Sequence, residues 1–283
     1  MTPTIAQEQK WKIESGSMPD VGVIHITDII PTLNELEKYL DIDLRNNTVG
    51  SAGKRTYSGD IDIAINLPAN NVDTFISKLK SIPSIIEVKK SSIIMTTVKI
   101  PNWNPIKYKG VNGTGYVQID FMFSSNPEFL KLFYHSPYEK DSKYKGIYRN
   151  ILLGAIAHFY NIRYSTTMLH GVPQYEERYF WSANLGLYRG RSYRFLDKTG
   201  KNLLKKKINS MYSIDQCYKT QEDIVEKLNL TDFNSLYSFE TLYNDINTRY
   251  DSNLLSQIYD EFINNRYVKE MGIPTELLNY YRN

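Results

Sequence analysis

A single cysteine, Cys217, excludes an internal disulfide in this chain of 283 residues. That scarcity points to a reducing compartment. No run approaches the roughly 20 apolar residues that a membrane-spanning helix needs. The opening MTPTIAQEQKWKIESGS lacks the apolar core of a secretory signal. The expectation is a cytoplasmic protein with no membrane partner. Histidine is also sparse: His25, His135, His158 and His170 stand without ligand spacing, which argues against a zinc site. Cys217 has no histidine context to make it a nucleophile. Neither an internal repeat nor a low-complexity linker interrupts the chain.

Charge is nearly balanced, at +3, but unevenly spread. Residues 183–207 hold Arg189, Arg191, Arg194, Lys198, Lys201, Lys205, Lys206 and Lys207 against the single acid Asp197. From residue 208 onward, twelve Asp and Glu face six Lys and Arg. A basic segment beside an acidic C-terminal part suits a polyanionic partner, and equally a solvated loop.

Periodicity divides the chain into an α/β part and a mainly helical part. Ile30, Leu33, Leu36 and Leu40 recur at helical spacing over Ile29–Leu40, with Pro31 placed for a first turn. A short strand ends near Val49, and a second runs over Asp60–Leu67. Val72–Leu79 reads as a helix capped by Asn70 or Asn71. The β-branched residues 85–100 read as one or two strands, and Tyr116–Phe123 as another. Residues 143–160 form the strongest helix, with Ile147, Ile151, Ala155 and His158 on its expected stripe. Residues 165–196 suit a hairpin, and helices follow near 220–229, 238–247, 253–268 and 274–281. The expected domains are 1–123, with an N-terminal extension, and 124–283, with a basic aromatic segment near 179–207.

The chemistry is carried by carboxylates in unusual places. In Ser58-Gly59-Asp60-Ile61-Asp62-Ile63-Ala64-Ile65, alternation puts Ile61, Ile63 and Ile65 on one face and Asp60 and Asp62 on the other. Aspartate is a poor strand residue, and two like charges this close repel unless a cation lies between them. Tyr116-Val117-Gln118-Ile119-Asp120-Phe121 repeats the device with Asp120. If the two strands are neighbours, Asp60, Asp62 and Asp120 converge and suit two divalent cations about 3.5–4 Å apart. Mg²⁺ or Mn²⁺ is the expected cofactor, with Asp120 as general base or hydroxyl-positioning group.

Just ahead of the pair stands Val49-Gly50-Ser51-Ala52-Gly53-Lys54-Arg55-Thr56-Tyr57-Ser58-Gly59. Its glycines allow a backbone to approach a ligand, while Ser51, Ser58, Lys54 and Arg55 offer the donors a triphosphate needs. It is not a P-loop, because Arg follows the Gly-Lys pair and a strand follows the loop.

The order Gly-Ser, basic glycine-containing loop, Ser-Gly-Asp-Ile-Asp-Ile and distant Ile-Asp-Phe resembles the DNA polymerase β-type nucleotidyltransferase superfamily. The Ser-Gly-Asp-hydrophobic-Asp wording is nearest to the family X polymerases. The resemblance implies an α+β fold: a palm with a mixed sheet flanked by helices, then a mostly helical domain. It implies that Asp60, Asp62 and Asp120 hold metals. Gly50, Ser51, Lys54, Arg55, Ser58 and Gly59 would then bind a nucleoside triphosphate. The implied activity is transfer of a nucleoside monophosphate to a hydroxyl, without a template, with a nucleic-acid 3′ end as the favoured acceptor. A small molecule, a protein hydroxyl or a non-catalytic palm in a nucleic-acid assembly are the alternatives. Gln118 stands where family X polymerases carry a basic residue, and no helix-hairpin-helix module precedes Gly50. Both departures argue against gap-filling repair. Abundant Asn, Ile, Lys and Tyr fit an AT-rich genome, and with the compact length suggest a phage protein acting in host cytoplasm or virion.

Lys145 and Arg149, four residues apart on the strong helix, are further candidates for the triphosphate or the acceptor, or else a solvated basic face. The aromatic and basic stretch around Arg189, Arg191 and Arg194 suits base stacking and phosphate contacts, or an aromatic core. The oligomeric state is not legible.

Overall fold

The structure, a computed structural model, describes residues 16–66, 71–169, 172–173, 175–193 and 216–281. These residues form two compact units, the first ending at Ile147 and the second starting at Tyr148.

The first unit contains β1 (Ile24–His25), α1 (Ile26–Glu37), β2 (Thr48–Val49), β3 (Tyr57–Ser58), β4 (Asp60–Ile65), α2 (Val72–Lys80), β5 (Ile85–Lys90), β6 (Ile94–Lys99), β7 (Tyr116–Phe123) and α3 (Pro127–Phe133). Five strands make a mixed sheet in the order β2-β4-β7-β6-β5. Only the β4–β7 pair is parallel. The alternation read from the sequence sets the core: Ile61, Ile63, Val117, Ile119 and Phe121 are fully buried on one face. Ile29, Leu33 and Leu36 of α1 and Phe75 and Leu79 of α2 join them in one apolar cluster. Phe75 meets Phe121 edge-on, with ring centroids 5.2 Å apart.

α1 begins three residues before the expected Ile29, because His25 acts as its N-cap by accepting from the Thr27 amide at 3.2 Å. Pro31 therefore lies inside the helix rather than in its first turn. Asp28, buried in this helix, accepts from Lys107 Nζ at 2.6 Å and from the Tyr108 hydroxyl at 2.7 Å. α2 starts after Asn71, whose side chain makes no capping bond; Asn70 and Leu67 lie outside the described residues.

The expected boundary at 124 is too early. α3, which the sequence did not reveal, packs against β2 and β4. Beyond it, Gly50 N–H donates to the Tyr134 carbonyl at 3.2 Å and Glu139 N–H to the Lys54 carbonyl at 3.1 Å. These bonds tie the stretch after β7 back to the glycine loop. The division falls instead inside α4 (Gly146–Phe159).

The second unit continues through β8 (Arg163–Tyr164), β9 (Met168–Leu169), β10 (Val172–Pro173), β11 (Tyr175–Ser182), β12 (Gly186–Tyr193) and β13 (Gln216–Tyr218). It is completed by α5 (Gln221–Lys227), α6 (Phe239–Arg249), α7 (Ser252–Asn264), α8 (Arg266–Met271) and α9 (Thr275–Tyr280). The hairpin expected within 165–196 is β11–β12, the centre of a four-stranded antiparallel sheet ordered β13-β12-β11-β8. The helices are held by an aromatic core in which Phe239 packs against Phe262 at 5.4 Å and against Tyr148 at 6.2 Å. In α4 the buried positions are Gly146, Tyr148, Arg149, Leu152, Leu153, Ala155, Ile156 and Ala157; of the expected stripe Ala155 is among them, while Ile147, Ile151 and His158 are half-buried. The helix is apolar around most of its circumference, so spacing alone does not choose a face. His158 instead reaches the half-exposed Glu261 at 2.7 Å. The fold is α+β: a mixed five-stranded sheet with flanking helices, then a mainly helical part. Among the described residues no helix is long and apolar enough to cross a membrane.

Candidate metal centre

The parallel pairing of β4 and β7 sets Asp62 directly opposite Asp120 and Asp60 opposite Gln118. All three aspartates leave the sheet on the face opposite the apolar cluster, because residues of one parity share a face. Carboxylate oxygens of Asp60, Asp62 and Asp120 lie within 4.8 Å of one another. Asp120 is buried, and Asp60 and Asp62 are half-buried.

Crowding and burial disfavour the ionised forms. Burial, reinforced by Asp60 and Asp120, holds the Asp62 carboxyl well above its ordinary range. Burial pushes Asp120 up to about 6, opposed by a hydrogen bond from Gln118 and reinforced by Asp60. Asp60 is raised by burial too, but the cations Arg55 and Lys145 pull it back. Burial, with the Asp62 charge nearby, also raises Tyr134.

Gln118 is the main support of Asp120. Its Nε2 donates to both carboxylate oxygens, at 2.9 and 3.0 Å, and its Oε1 accepts from the Met18 amide at 2.8 Å. Gly50 is needed at the mouth of the cluster for two reasons. Its φ of +69° favours glycine, and a Cβ there would stand 2.8 Å from Asp62 Oδ2.

An all-carboxylate donor set fits a hard divalent cation such as Mg²⁺ or Mn²⁺. The fit is also electrostatic: three carboxylates share one pocket, and the cations beside them act mainly on Asp60.

The glycine loop lies next to this cluster in a form that redistributes its expected roles. Ser51 is half-buried, and its carbonyl accepts from Lys54 N–H at 3.1 Å and the Ser58 hydroxyl at 3.5 Å. Ser58 is fully buried, so its hydroxyl closes the loop rather than facing a ligand. Arg55 is buried as well, with Glu139 and Asp60 acting on its charge. Gly59 offers its carbonyl to the Gly16 amide at 3.1 Å. Lys54 and Lys145 are both half-buried.

The remaining candidates belong to the second unit. Arg149 is fully buried, donates to the Leu236 carbonyl at 2.9 Å, and is pushed down to about 10 by burial. It braces the second unit and is not part of a solvated basic face. Arg189 and Arg191 both bind Glu177, at 3.4 and 3.0 Å, and Arg189 stacks on Tyr179 with its guanidinium 4.1 Å from the ring centre. Arg194 and most of the basic segment lie outside the described residues. Sequence reasoning missed Tyr134, Glu139 and the contacts of residues 16–18; nothing in their local pattern signals them. Gln118 was visible as a flank of Asp120 two residues away on the same face.

No protein-family model matches the chain, and no match is found among curated proteins.

Proposed function

We propose that the chain is a metal-dependent nucleotidyltransferase with a polymerase β-like palm. It would transfer a nucleoside monophosphate, ribo or deoxyribo, from its triphosphate to a hydroxyl, with release of pyrophosphate. The observation that carries this reading is the convergence of Asp60, Asp62 and Asp120 from parallel-paired strands beside the Gly50-Ser51 loop.

Divalent cations bound there would neutralise phosphate oxygens and make an attacking hydroxyl more acidic. The chain's own groups do the positioning. Asp60 and Asp62 fix one edge of the site, and Gly50, lacking a Cβ, keeps the approach to Asp62 open. Asp120, held by Gln118, orients the acceptor hydroxyl and takes its proton at a carboxylate oxygen. Lys145 and Arg55 add positive charge beside Asp60.

A nucleic-acid 3′ end is the acceptor we favour, on the basic composition of residues 183–207. Arg189 and Arg191 lend it less support than the sequence suggested, because both are engaged by Glu177. The test is incubation with Mg²⁺ or Mn²⁺, each labelled NTP and dNTP, and single-stranded RNA and DNA primers, resolved on a denaturing gel. Primer extension abolished by Asp62→Asn supports the full reading. Label appearing on protein or a small molecule moves the acceptor, and no transfer to any acceptor rejects the enzyme.

A further inference from the structure

Residues 16–18 reach the residue just before β4 and the strands β6 and β7 at the level of the carboxylates. Gly16 N–H donates to the Gly59 carbonyl, immediately before Asp60, at 3.1 Å. Ser17 Oγ reaches Met95 Sδ at 3.9 Å, and Met95 pairs with Asp120 across β6 and β7. Met18 N–H donates to Gln118 Oε1 at 2.8 Å, and Gln118 Nε2 grips both oxygens of Asp120.

We infer that residues 16–18 are a strap that sets the rotamer of Asp120 through Gln118, making Gln118 and Gly16 positioning residues for metal binding. An amide has two chemically distinct ends. With Oε1 held by the Met18 amide, Nε2 must point the other way, toward Asp120, so the strap decides which end the carboxylate meets. A neutral donor suits this place: it orients the carboxylate without adding a cation that would repel a metal. The strap also explains Gly16. A Cβ at this position would stand 2.5 Å from Gln118 Oε1, 2.6 Å from its Cβ and 2.8 Å from its Cδ. Cβ is not the flexible end of the side chain, so alanine would lift the strap or displace the amide.

The inference rests on the proposed carboxylate metal site, and its experiment separates the two. Mn²⁺ binding to the full chain is measured by calorimetry and by electron paramagnetic resonance, with no nucleotide present. The proteins are the unaltered chain, Gly16→Ala, Gln118→Met, the double variant and Asp62→Asn. Gln118→Met keeps the side-chain length and removes the donor, so it preserves packing. Outer-shell partners typically contribute about 10–100-fold to metal affinity, and each single variant should lose on the order of tenfold. The double variant should bind no more weakly than Gln118→Met, because both changes break one relay. Gly16→Ala binding like the unaltered chain overturns the strap, and Gln118→Met binding unchanged overturns the relay. Losses that simply add also overturn it. Failure of the unaltered chain to bind Mn²⁺ rejects the metal site, and the inference falls with it.

Discussion

Replacing Asp62 with Asn should stabilise the metal-free protein, although the residue lies at the centre of the proposed chemistry. Asp62 shares its pocket with Asp60 and Asp120, with carboxylate oxygens within 4.8 Å. Two unit charges at that distance repel by about 3 kcal/mol at an effective dielectric of 20, and by about 1 kcal/mol in water. The site is half-buried and can relieve itself by taking up a proton, so a gain of about 1–3 kcal/mol is expected at pH 8 in EDTA. For a protein of this size that is several degrees in Tm. The pH dependence follows from the direction of the shift. The folded-state pKa of Asp62 is raised above the unfolded value near 3.9. The folded protein therefore holds the extra proton, and stability falls as pH rises from about 4 through the folded pKa. Asn does not titrate, so the advantage of the variant should be absent at pH 3.5, grow across that window and level off above it. Divalent cation should invert the comparison, stabilising the unaltered chain by mass action and the variant far less. The assay is urea denaturation followed by circular dichroism at several pH values, with EDTA or with Mg²⁺. A variant less stable than the unaltered chain at pH 8 in EDTA, or an advantage independent of pH, would refute the reasoning.

Gly50→Ala should cost about 1–2 kcal/mol in stability from its left-handed φ alone, and weaken Mn²⁺ binding because the new methyl meets Asp62 Oδ2; calorimetry showing unchanged affinity would contradict this. Asp28→Ala removes the acceptor of the Tyr108 hydroxyl and leaves the Lys107 ammonium only Thr27 Oγ1 as a hydrogen-bond acceptor, so denaturation should show a loss of about 1–3 kcal/mol. Glu177→Gln removes the carboxylate shared by Arg163, Arg189 and Arg191; melting should drop by about 1–2 kcal/mol equivalent while Mn²⁺ affinity stays as it was. Phe121→Ala, beneath the site on the apolar face, should cost about 3–5 kcal/mol, read from the urea midpoint.

The face alternation of Asp60 to Ile65 and Tyr116 to Phe123 was legible because a strand has a fixed period of two. Once β4 and β7 pair in parallel, that period alone brings the three aspartates together. What the sequence could not supply was pairing partners. The strap of residues 16–18 reads as irregular chain, because its order comes from distant Gln118 and Gly59 rather than from local propensity. The same limit explains Ser58, Arg55 and Arg149, polar residues whose partners in the fold, and not their type, decided that they would be buried. The arginines of β12 looked free for phosphate because Glu177 comes from the neighbouring strand. α4 shows a different failure: where nearly every position is apolar, periodicity carries no direction.

The order of strands also says when in folding the site comes into being. β5, β6 and β7 form a meander of antiparallel neighbours, joined by the turn 91–93 and the longer loop 100–115. The β4–β7 ladder joins segments separated by that whole meander, and loop-closure entropy places such a pairing late. Asp120 is therefore apart from Asp60 and Asp62 until the closing step and is driven toward them by it. Their repulsion acts on the rate of the last docking event as well as on the final state. A divalent cation captured at that moment would speed the folding limb of the chevron, so the metal would act as a kinetic latch on the sheet it occupies.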